Sequence, residues 1–220
     1  MKLPTEIRGF FGEWRFLSNF HLCNVVFEGE VYPSTEHAYQ AAKALDPEAR
    51  EKFRYAGVEP RHAKKMGGAL KLRPDWEEVK VAVMRDLLMQ KFYPTILRRK
   101  LLCTFTAELV EANWWHDRWW GVCCSEYELG GVVRKCKQGP HESEGLNHLG
   151  RLLMEVRTYY ASYSKRITTG TITQLSNPHV EGDDANLCDY QQGQRQTVCG
   201  ADGTNSEATV ATPLLEINNE

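Results

Sequence analysis

The strongest structural signal in the chain is the segment from 73 to 92, RPDWEEVKVAVMRDLLMQKF. Asp75 and Glu78 have the spacing of a capping box, which satisfies free backbone N–H groups at the start of a helix. The apolar residues that follow recur at intervals of four and form a broad stripe; they are Val79, Val83, Met84, Leu87 and Leu88. The sequence therefore predicts a long helix that buries one face in a core.

The segments on either side of this helix define the fold class. CNVVFEGEVYP (23–33) has the composition of a β-hairpin that turns at Glu28-Gly29. Helices are predicted in EHAYQAAKAL, after Asp46-Pro47, in TILRRKLL, in AELVEAN with Thr106 as a cap, and in GLNHLGRLLMEVRTYY. Short strands followed by helices predict an α+β domain, helix-dominated, with a few short N-terminal strands.

The composition changes near Ser162. Residues 161–220 are polar and carry three basic and eight acidic side chains, out of 27 and 29 in the whole chain. A segment with so few apolar residues buries too little surface to offset its ordering entropy. We therefore predict one folded domain over 5–160 and a disordered, acidic extension over 161–220, with a partner-binding tail as the alternative.

Several classes of protein are excluded by composition. No apolar run reaches the ~18 residues of a membrane helix, and the N-terminus lacks the apolar region of a secretory signal. The seven cysteines are odd in number and scattered, which argues against a disulfide scaffold. These features predict a cytoplasmic protein without membrane contact. A net charge of -2 is too mild for a protein that coats duplex nucleic acid.

Metal and nucleotide motifs are absent from the sequence. The cysteines and histidines in its second half lack the C-x-x-C or H-x-x-x-H spacing of zinc ligands; they are Cys123, Cys124, Cys136, His141 and His148. Neither a G-x-x-x-x-G-K-[ST] nor a G-x-G-x-x-G loop occurs. We predict neither a metal site nor a cofactor.

Two carboxylates have positions suited to chemistry. Glu36 lies at a predicted helix start, where the macrodipole favours an ionised carboxylate, and an ordinary helix-start glutamate is the alternative. Asp117 lies within NWWHDRWWGVCC (113–124), where aromatic neighbours can raise the pKa of a carboxyl group. A capping aspartate beside core tryptophans is the alternative there. Trp114 and Trp115 are predicted to be core residues.

A basic run from 50 to 73 suits either phosphate binding or solvated helix faces. Amide and hydroxyl side chains also occur among apolar neighbours, at Ser18-Asn19 in FLSNF and at Asn147 in GLNHLG. Such groups usually bind the backbone, and they can also hold sugar hydroxyls.

Several motifs occur together in an order that resembles the NADAR superfamily of YbiA-like N-glycosidases. They are FLSNF, YPSTEHAYQAAK, RPDWEEVKVAVM, KF, LLCTFTAELVEAN, DRWWG and GLNHLGRLLMEVR, and they span nearly all of 7–158. The segment between Gly121 and Gly145 does not align with this family.

The resemblance implies a metal-independent enzyme that cleaves N-glycosidic bonds of ribosyl compounds. It implies Glu36 and Asp117 as catalytic residues. Glu36 would activate water or stabilise the cationic sugar, and Asp117 would assist with the proton or hold ribose hydroxyls, with the reverse assignment left open. The implied substrate contacts are Ser18, Asn19, Phe20, Lys43, Trp120, Gly121 and Asn147.

The resemblance also implies the partners. The substrate is expected to be a phosphoribosylamino-pyrimidine intermediate of riboflavin synthesis. The alternatives are removal of ADP-ribose from guanine in ADP-ribosylated nucleic acid, and a module that binds ADP-ribose or NAD without turnover.

Overall fold

The computed structural model describes residues 4–168. It begins with β1 (Glu6–Arg8), a 3₁₀ helix (Gly12–Leu17), β2 (Leu22–Phe27), β3 (Glu30–Ser34) and α1 (Thr35–Ala41). Four helices follow, α2 (Pro47–Glu51), α3 (Pro60–Gly67), α4 (Trp76–Lys91) and α5 (Thr95–Leu102). Short strands then lead to the last helix: β4 (Glu108–Val110), β5 (Ala112–Asn113), β6 (Val122–Cys123), β7 (Glu126–Leu129), β8 (Val132–Lys135) and α6 (His148–Thr168).

The predicted hairpin is confirmed. β2 and β3 pair antiparallel, and the turn residues Glu28 and Gly29 have φ values of 47° and 84°. Both values are left-handed, as a two-residue turn between right-twisted strands requires. β3 runs directly into α1, where the Ser34 hydroxyl accepts a hydrogen bond from the backbone N–H of His37. The hairpin therefore sets where α1 begins.

The long predicted helix is also confirmed, as α4. Its residues Met84, Leu87 and Leu88 are buried in the main hydrophobic core. The predicted capping chemistry is wrong, however, because the Asp75 carboxylate makes no bond to the helix start and instead accepts two hydrogen bonds, of 2.6 and 2.9 Å, from Arg73.

The helix predicted in AELVEAN is wrong, since this segment forms β4 and β5. β4 pairs parallel with β1 and β5 pairs parallel with β6. β1 is distant in sequence from β4, and β6 follows β5 only after a loop. Apolar residues in so short a run do not distinguish a strand from a buried helix. The strands are therefore divided between the two halves of the domain, while helices still predominate.

α6 closes the core. Its buried residues occur at steps of three and four; they are Leu149, Leu152, Leu153, Val156 and Tyr160. The helix continues to Thr168, beyond the boundary predicted at 160. The rest of the predicted extension, 169–220, lies outside the described residues. Among residues 4–168, no helix is both long enough and apolar enough to cross a membrane.

Candidate active site

A pocket of about 500 Å³ is lined by side chains of α1, α3, α4, the segment 15–20 and the tryptophan-rich segment 114–120. This volume lies within the roughly 300–1,000 Å³ of small-molecule sites. Seven of the residues predicted from sequence meet here: Ser18, Asn19, Phe20, Glu36, Lys43, Asp117 and Trp120. The fold thus brings together three segments that are far apart in the chain.

Glu36 comes from α1, whose seven residues are all buried. Its Oε1 accepts a hydrogen bond of 2.7 Å from Gln40 Nε2, one helical turn later. Burial raises the pKa of Glu36, while Lys64 and the Gln40 hydrogen bond oppose this rise. The effect of burial exceeds the helix-start effect expected from sequence, so Glu36 holds a proton more readily than an exposed glutamate does.

Asp117 is fixed by its own loop. Its backbone N–H donates to Asn113 Oδ1, and its backbone carbonyl accepts from Asn113 Nδ2. Its carboxylate Oδ1 accepts from the backbone N–H of Trp120 at 2.9 Å. The preceding residue, His116, has a φ of 69° that turns the chain sharply. These bonds leave Oδ2 facing Lys64, whose Nζ lies 3.7 Å away.

Lys64 is the cation that links the acidic groups of the pocket. Besides its ion pair with Asp117, its charge lowers the pKa of both Glu36 and Glu111. Lys43 also lines the pocket, and burial lowers its pKa. The other basic residues of the run from 50 to 73 do not line the pocket. Arg61, for example, forms an ion pair with Glu59 at the surface.

Glu111 is a pocket residue that the sequence did not reveal. It lies between β4 and β5, and its Oε2 is buried without a hydrogen-bond partner among the described residues. Burial raises its pKa to about 8, and the charges of Asp117 and Glu36 act in the same direction. One of two glutamates in a segment predicted to be helical offers no signal of this position.

The backbone at Ser18, next to Asn19, is held in place by the buried side chain of Lys91. The buried Lys91 ammonium donates to the backbone carbonyls of Leu17 and Ser18, at 3.3 and 2.7 Å. Burial lowers the pKa of Lys91 to about 7. Lys91, the first residue of the KF motif, therefore positions the FLSNF segment.

Three buried polar oxygens of the pocket lack hydrogen-bond partners within residues 4–168. They are Asn19 Oδ1, Gln40 Oε1 and Glu111 Oε2. An unsatisfied buried polar atom costs roughly 1–3 kcal/mol, so such atoms mark a place where a ligand or water forms the missing hydrogen bond.

The tryptophans differ from the prediction. Trp114 and Trp115, predicted as core, line the pocket together with Trp119 and Trp120, and Trp115 is 43% exposed. Trp120 is half-buried, and its indole N–H donates to the Tyr39 hydroxyl at 3.2 Å. The strands that replace the predicted helix direct Trp114 and Trp115 into this wall.

Asn147 and Gly121, predicted as substrate contacts, lie outside the pocket lining. Asn147 Nδ2 donates to the Leu109 carbonyl at 2.9 Å, and its Oδ1 accepts from the Glu111 N–H at 3.1 Å. Both ends of the amide are thus engaged by the backbone around Glu111. Asn147 positions Glu111.

Gly121→Ala is expected to destabilise the fold by roughly 1–3 kcal/mol, as overpacking does. An added Cβ would lie 2.2 Å from the Glu111 carbonyl oxygen and 2.8 Å from Asn113 Nδ2. Urea unfolding measures the loss. Gly68→Ala is the matched control, because its Cβ would meet nothing closer than 3.4 Å. Equal stability of both variants would show that Gly121 is not a close-packing position.

Residues 6–159 match the model of the NADAR domain family. The N-glycosidase YbiA of Escherichia coli strain K12 is 37% identical over 147 residues, which cover 66% of this chain and 80% of that protein. The NMR structure of the E. coli protein YbiA has a TM-score of 0.58 and 31% identity, over 81% of this chain and 94% of that one.

Two longer relatives have names from riboflavin biosynthesis. A riboflavin biosynthesis protein of Vibrio vulnificus is 34% identical over 145 residues, covering 64% of this chain and 34% of that protein. The chloroplastic riboflavin biosynthesis protein PYRR of Zea mays is 33% identical over 175 residues, covering 70% of this chain and 25% of that protein.

Proposed function

The chain belongs to the NADAR domain family and is an N-glycosidase, and from this premise we propose that the bond it hydrolyses is the C–N glycosidic bond of a phosphorylated ribosyl compound. The observation that carries this proposal is the set of three carboxyl groups, in different environments, within one aromatic pocket. Cleavage of a ribosyl C–N bond develops positive charge on the sugar and needs a proton on the departing nitrogen. Carboxyl groups of different pKa can divide these tasks.

Asp117 and Glu36 act on the sugar side of the bond. The Asp117 carboxylate, fixed by the Trp120 N–H and Lys64, offers negative charge to the cationic sugar in the transition state. Glu36, whose pKa is raised by burial, accepts the proton of the attacking water. Glu36 keeps the water-activating role implied for it from sequence, whereas Asp117 stabilises the cationic sugar and does not assist with the proton.

Glu111 supplies the proton for the leaving base. With a pKa of about 8, its carboxyl group is protonated at neutral pH, and its Oε2 has no partner in the described part of the chain. A protonated carboxyl group of this kind suits a general acid. Asn147 holds the Glu111 backbone from both sides and so fixes the donor.

The phosphate and the base of the proposed substrate contact different residues of the pocket lining. Lys43 and Lys64, both pocket residues, provide positive charge for the phosphate oxygens. Indole and phenyl rings provide flat surfaces for a heterocyclic base and exclude water; those lining the pocket include Phe20, Trp115, Trp119 and Trp120. The buried acceptors Asn19 Oδ1 and Gln40 Oε1 suit ribose hydroxyl donors.

The substrate proposed is a phosphoribosylamino-pyrimidine intermediate of riboflavin synthesis, supported by the names of the longer relatives. The test incubates the purified protein with riboflavin-pathway ribosylamines, NAD, ADP-ribose and ADP-ribosylated oligonucleotides, and released base and sugar are separated by chromatography. Rapid release from the ribosylamines is expected. Release from ADP-ribosylated oligonucleotides alone would assign the alternative substrate, and binding without release would indicate a non-catalytic module.

Glu111→Gln is expected to lower kcat at pH 7 by at least about tenfold, because the amide keeps the shape of the side chain but cannot supply the proton. The wild-type rate should fall as pH rises through about 8, where Glu111 loses its proton. The variant should lack this alkaline decrease. An unchanged alkaline decrease in the variant would remove Glu111 from this role.

The same variant measures the pKa independently of catalysis. Folded Glu111 titrates at about 8 and an ordinary glutamate at 4.5, so between these values the folded state binds more protons than the unfolded state. Wild-type stability therefore loses this contribution as pH rises through that window, whereas the variant has none to lose. Thermal unfolding from about pH 5 to about pH 8 should show the variant gaining stability relative to wild type. A constant difference would contradict the raised pKa.

A further inference from the structure

A cluster of two cysteines and two histidines lies outside the pocket lining, and three of its four members belong to the segment between Gly121 and Gly145 that does not align with the family. Its members are His116, Cys123, Cys136 and His141, and one ligand atom from each lies within 4.8 Å of all the others. Their separations along the chain follow no zinc motif, which is why the sequence predicted no metal site. Proximity arises instead from the β7–β8 hairpin, which returns Cys136 and His141 to β6.

The distances within the cluster fit a tetrahedral ion. The two sulfur atoms are 3.6 Å apart, Cys123 Sγ lies 3.5 Å from His141 Nε2, and Cys136 Sγ lies 4.0 Å from His116 Nδ1. A tetrahedron with metal–sulfur bonds of about 2.3 Å and metal–nitrogen bonds of about 2.0–2.1 Å has sulfur–sulfur edges of about 3.8 Å and sulfur–nitrogen edges of about 3.6 Å. The observed separations therefore leave room for one ion at the centre.

His141 is oriented as a metal ligand is. Its Nδ1 lies 2.6 Å from the Glu142 carbonyl oxygen, which can only accept, so Nδ1 carries the hydrogen. The neutral ring then presents the Nε2 lone pair to Cys123. A backbone carbonyl that fixes the tautomer of a ligating histidine is the usual outer partner in zinc sites.

The neighbouring candidates are engaged elsewhere. Cys124 Sγ lies 3.8 Å from an Arg8 guanidinium nitrogen, on the other side of β6 from Cys123. His148 packs against the Trp119 ring at 4.4 Å. The fold thus selects one of two adjacent cysteines and excludes the histidine of α6.

The β7–β8 hairpin contributes little to the hydrophobic core and would be stabilised by a bound ion. None of the residues of β7 or β8 is buried. Its main attachment to the domain is Tyr127, whose hydroxyl donates to the Arg8 carbonyl and whose ring stacks on Trp114. An isolated two-stranded hairpin is marginally stable in water. A metal ion bound at its base would supply the missing stability.

We propose that His116, Cys123, Cys136 and His141 bind one Zn²⁺ tetrahedrally, as a structural site beside the active-site wall. Two thiol protons are released on binding, and no coordination position is left for water. His116 immediately precedes Asp117, so the ion fixes the loop that carries this carboxylate and links it to the hairpin.

The test uses the full chain, purified under reducing conditions without chelator. Elemental analysis should find about one zinc per chain, and Co²⁺ replacing it should give the visible bands of a tetrahedral ion with the near-ultraviolet charge-transfer bands of two thiolates. Cys136→Ser and His141→Asn should each lower zinc content at least about tenfold. Cys124→Ser, the adjacent matched control, should retain the metal.

Three results would overturn the proposal. They are wild-type protein that takes up neither Zn²⁺ nor Co²⁺ after incubation with each metal, equal loss of metal in Cys124→Ser and Cys136→Ser, and a Cys123–Cys136 disulfide that persists under reductant in the intact mass. The wild-type Co²⁺ spectrum does not depend on whether any variant folds.

Discussion

Glu36→Gln is expected to lower kcat by at least about 100-fold while the fold remains intact. Glutamine has the size of glutamate and still accepts a hydrogen bond from Gln40, so the packing around α1 is preserved. It cannot take a proton from water. Burial raises the pKa of Glu36, which means that the ionised form is disfavoured in the folded state, and the neutral amide should therefore leave the melting temperature unchanged or higher.

The matched control for this variant is Glu78→Gln. Glu78 also lies in the first turn of a helix, but its side chain is exposed and does not line the pocket. Turnover by this control should equal that of wild type. Near-normal turnover by Glu36→Gln, with circular dichroism unchanged, would show that the proton of the attacking water goes elsewhere.

Asp117→Asn, the second substitution with a large expected effect, should lower kcat/KM by at least about 100-fold. Asparagine retains an oxygen that can accept from the Trp120 N–H, so the loop should keep its shape. It loses the negative charge that faces Lys64 and the cationic sugar. The decrease should lie mainly in kcat, because this charge acts on the transition state more than on the bound substrate.

Two further variants separate charge from loop structure at this position. Asp117→Ala removes the bond to Trp120 as well, and it should add an increase in KM to the decrease in kcat. Asp86→Asn, on an exposed position of α4, is the control for loss of one acidic charge and should be silent. If Asp117→Asn raises KM alone, Asp117 holds the substrate and does not stabilise the transition state.

The sequence was most informative where a signal is local. The α4 stripe, the Glu28-Gly29 turn and the α6 periodicity depend on residues a few positions apart, and all three are confirmed. The spacing of Glu36 and Gln40, one helical turn apart on α1, is also local, and both side chains line the pocket together with Lys43, which follows the helix.

Prediction failed where structure depends on distant pairing. β4 exists because β1 lies beside it, a hundred residues earlier in the chain. Once 108–113 is extended, Glu111 enters the pocket wall, and Trp114 and Trp115 leave the core for the same wall. The resemblance implied Asn147 as a substrate contact, and its amide bonds the backbone of Leu109 and Glu111, in the segment that was predicted to be helical.

The unpaired buried acceptors of the pocket are expected to select against ligands that lack hydrogen-bond donors at the matching positions. Asn19 Oδ1 and Gln40 Oε1 have no donor within the described residues, so each can accept a hydrogen bond from the molecule that enters. A sugar with its hydroxyls satisfies them, whereas a deoxy sugar of the same size leaves an oxygen desolvated and unpaired. Sites built this way reject the analogue that lacks a donor much more strongly than sites lined by apolar groups reject a missing methylene. We therefore expect discrimination between ribose and deoxyribose to depend on two amides that are not assigned to the bond being broken.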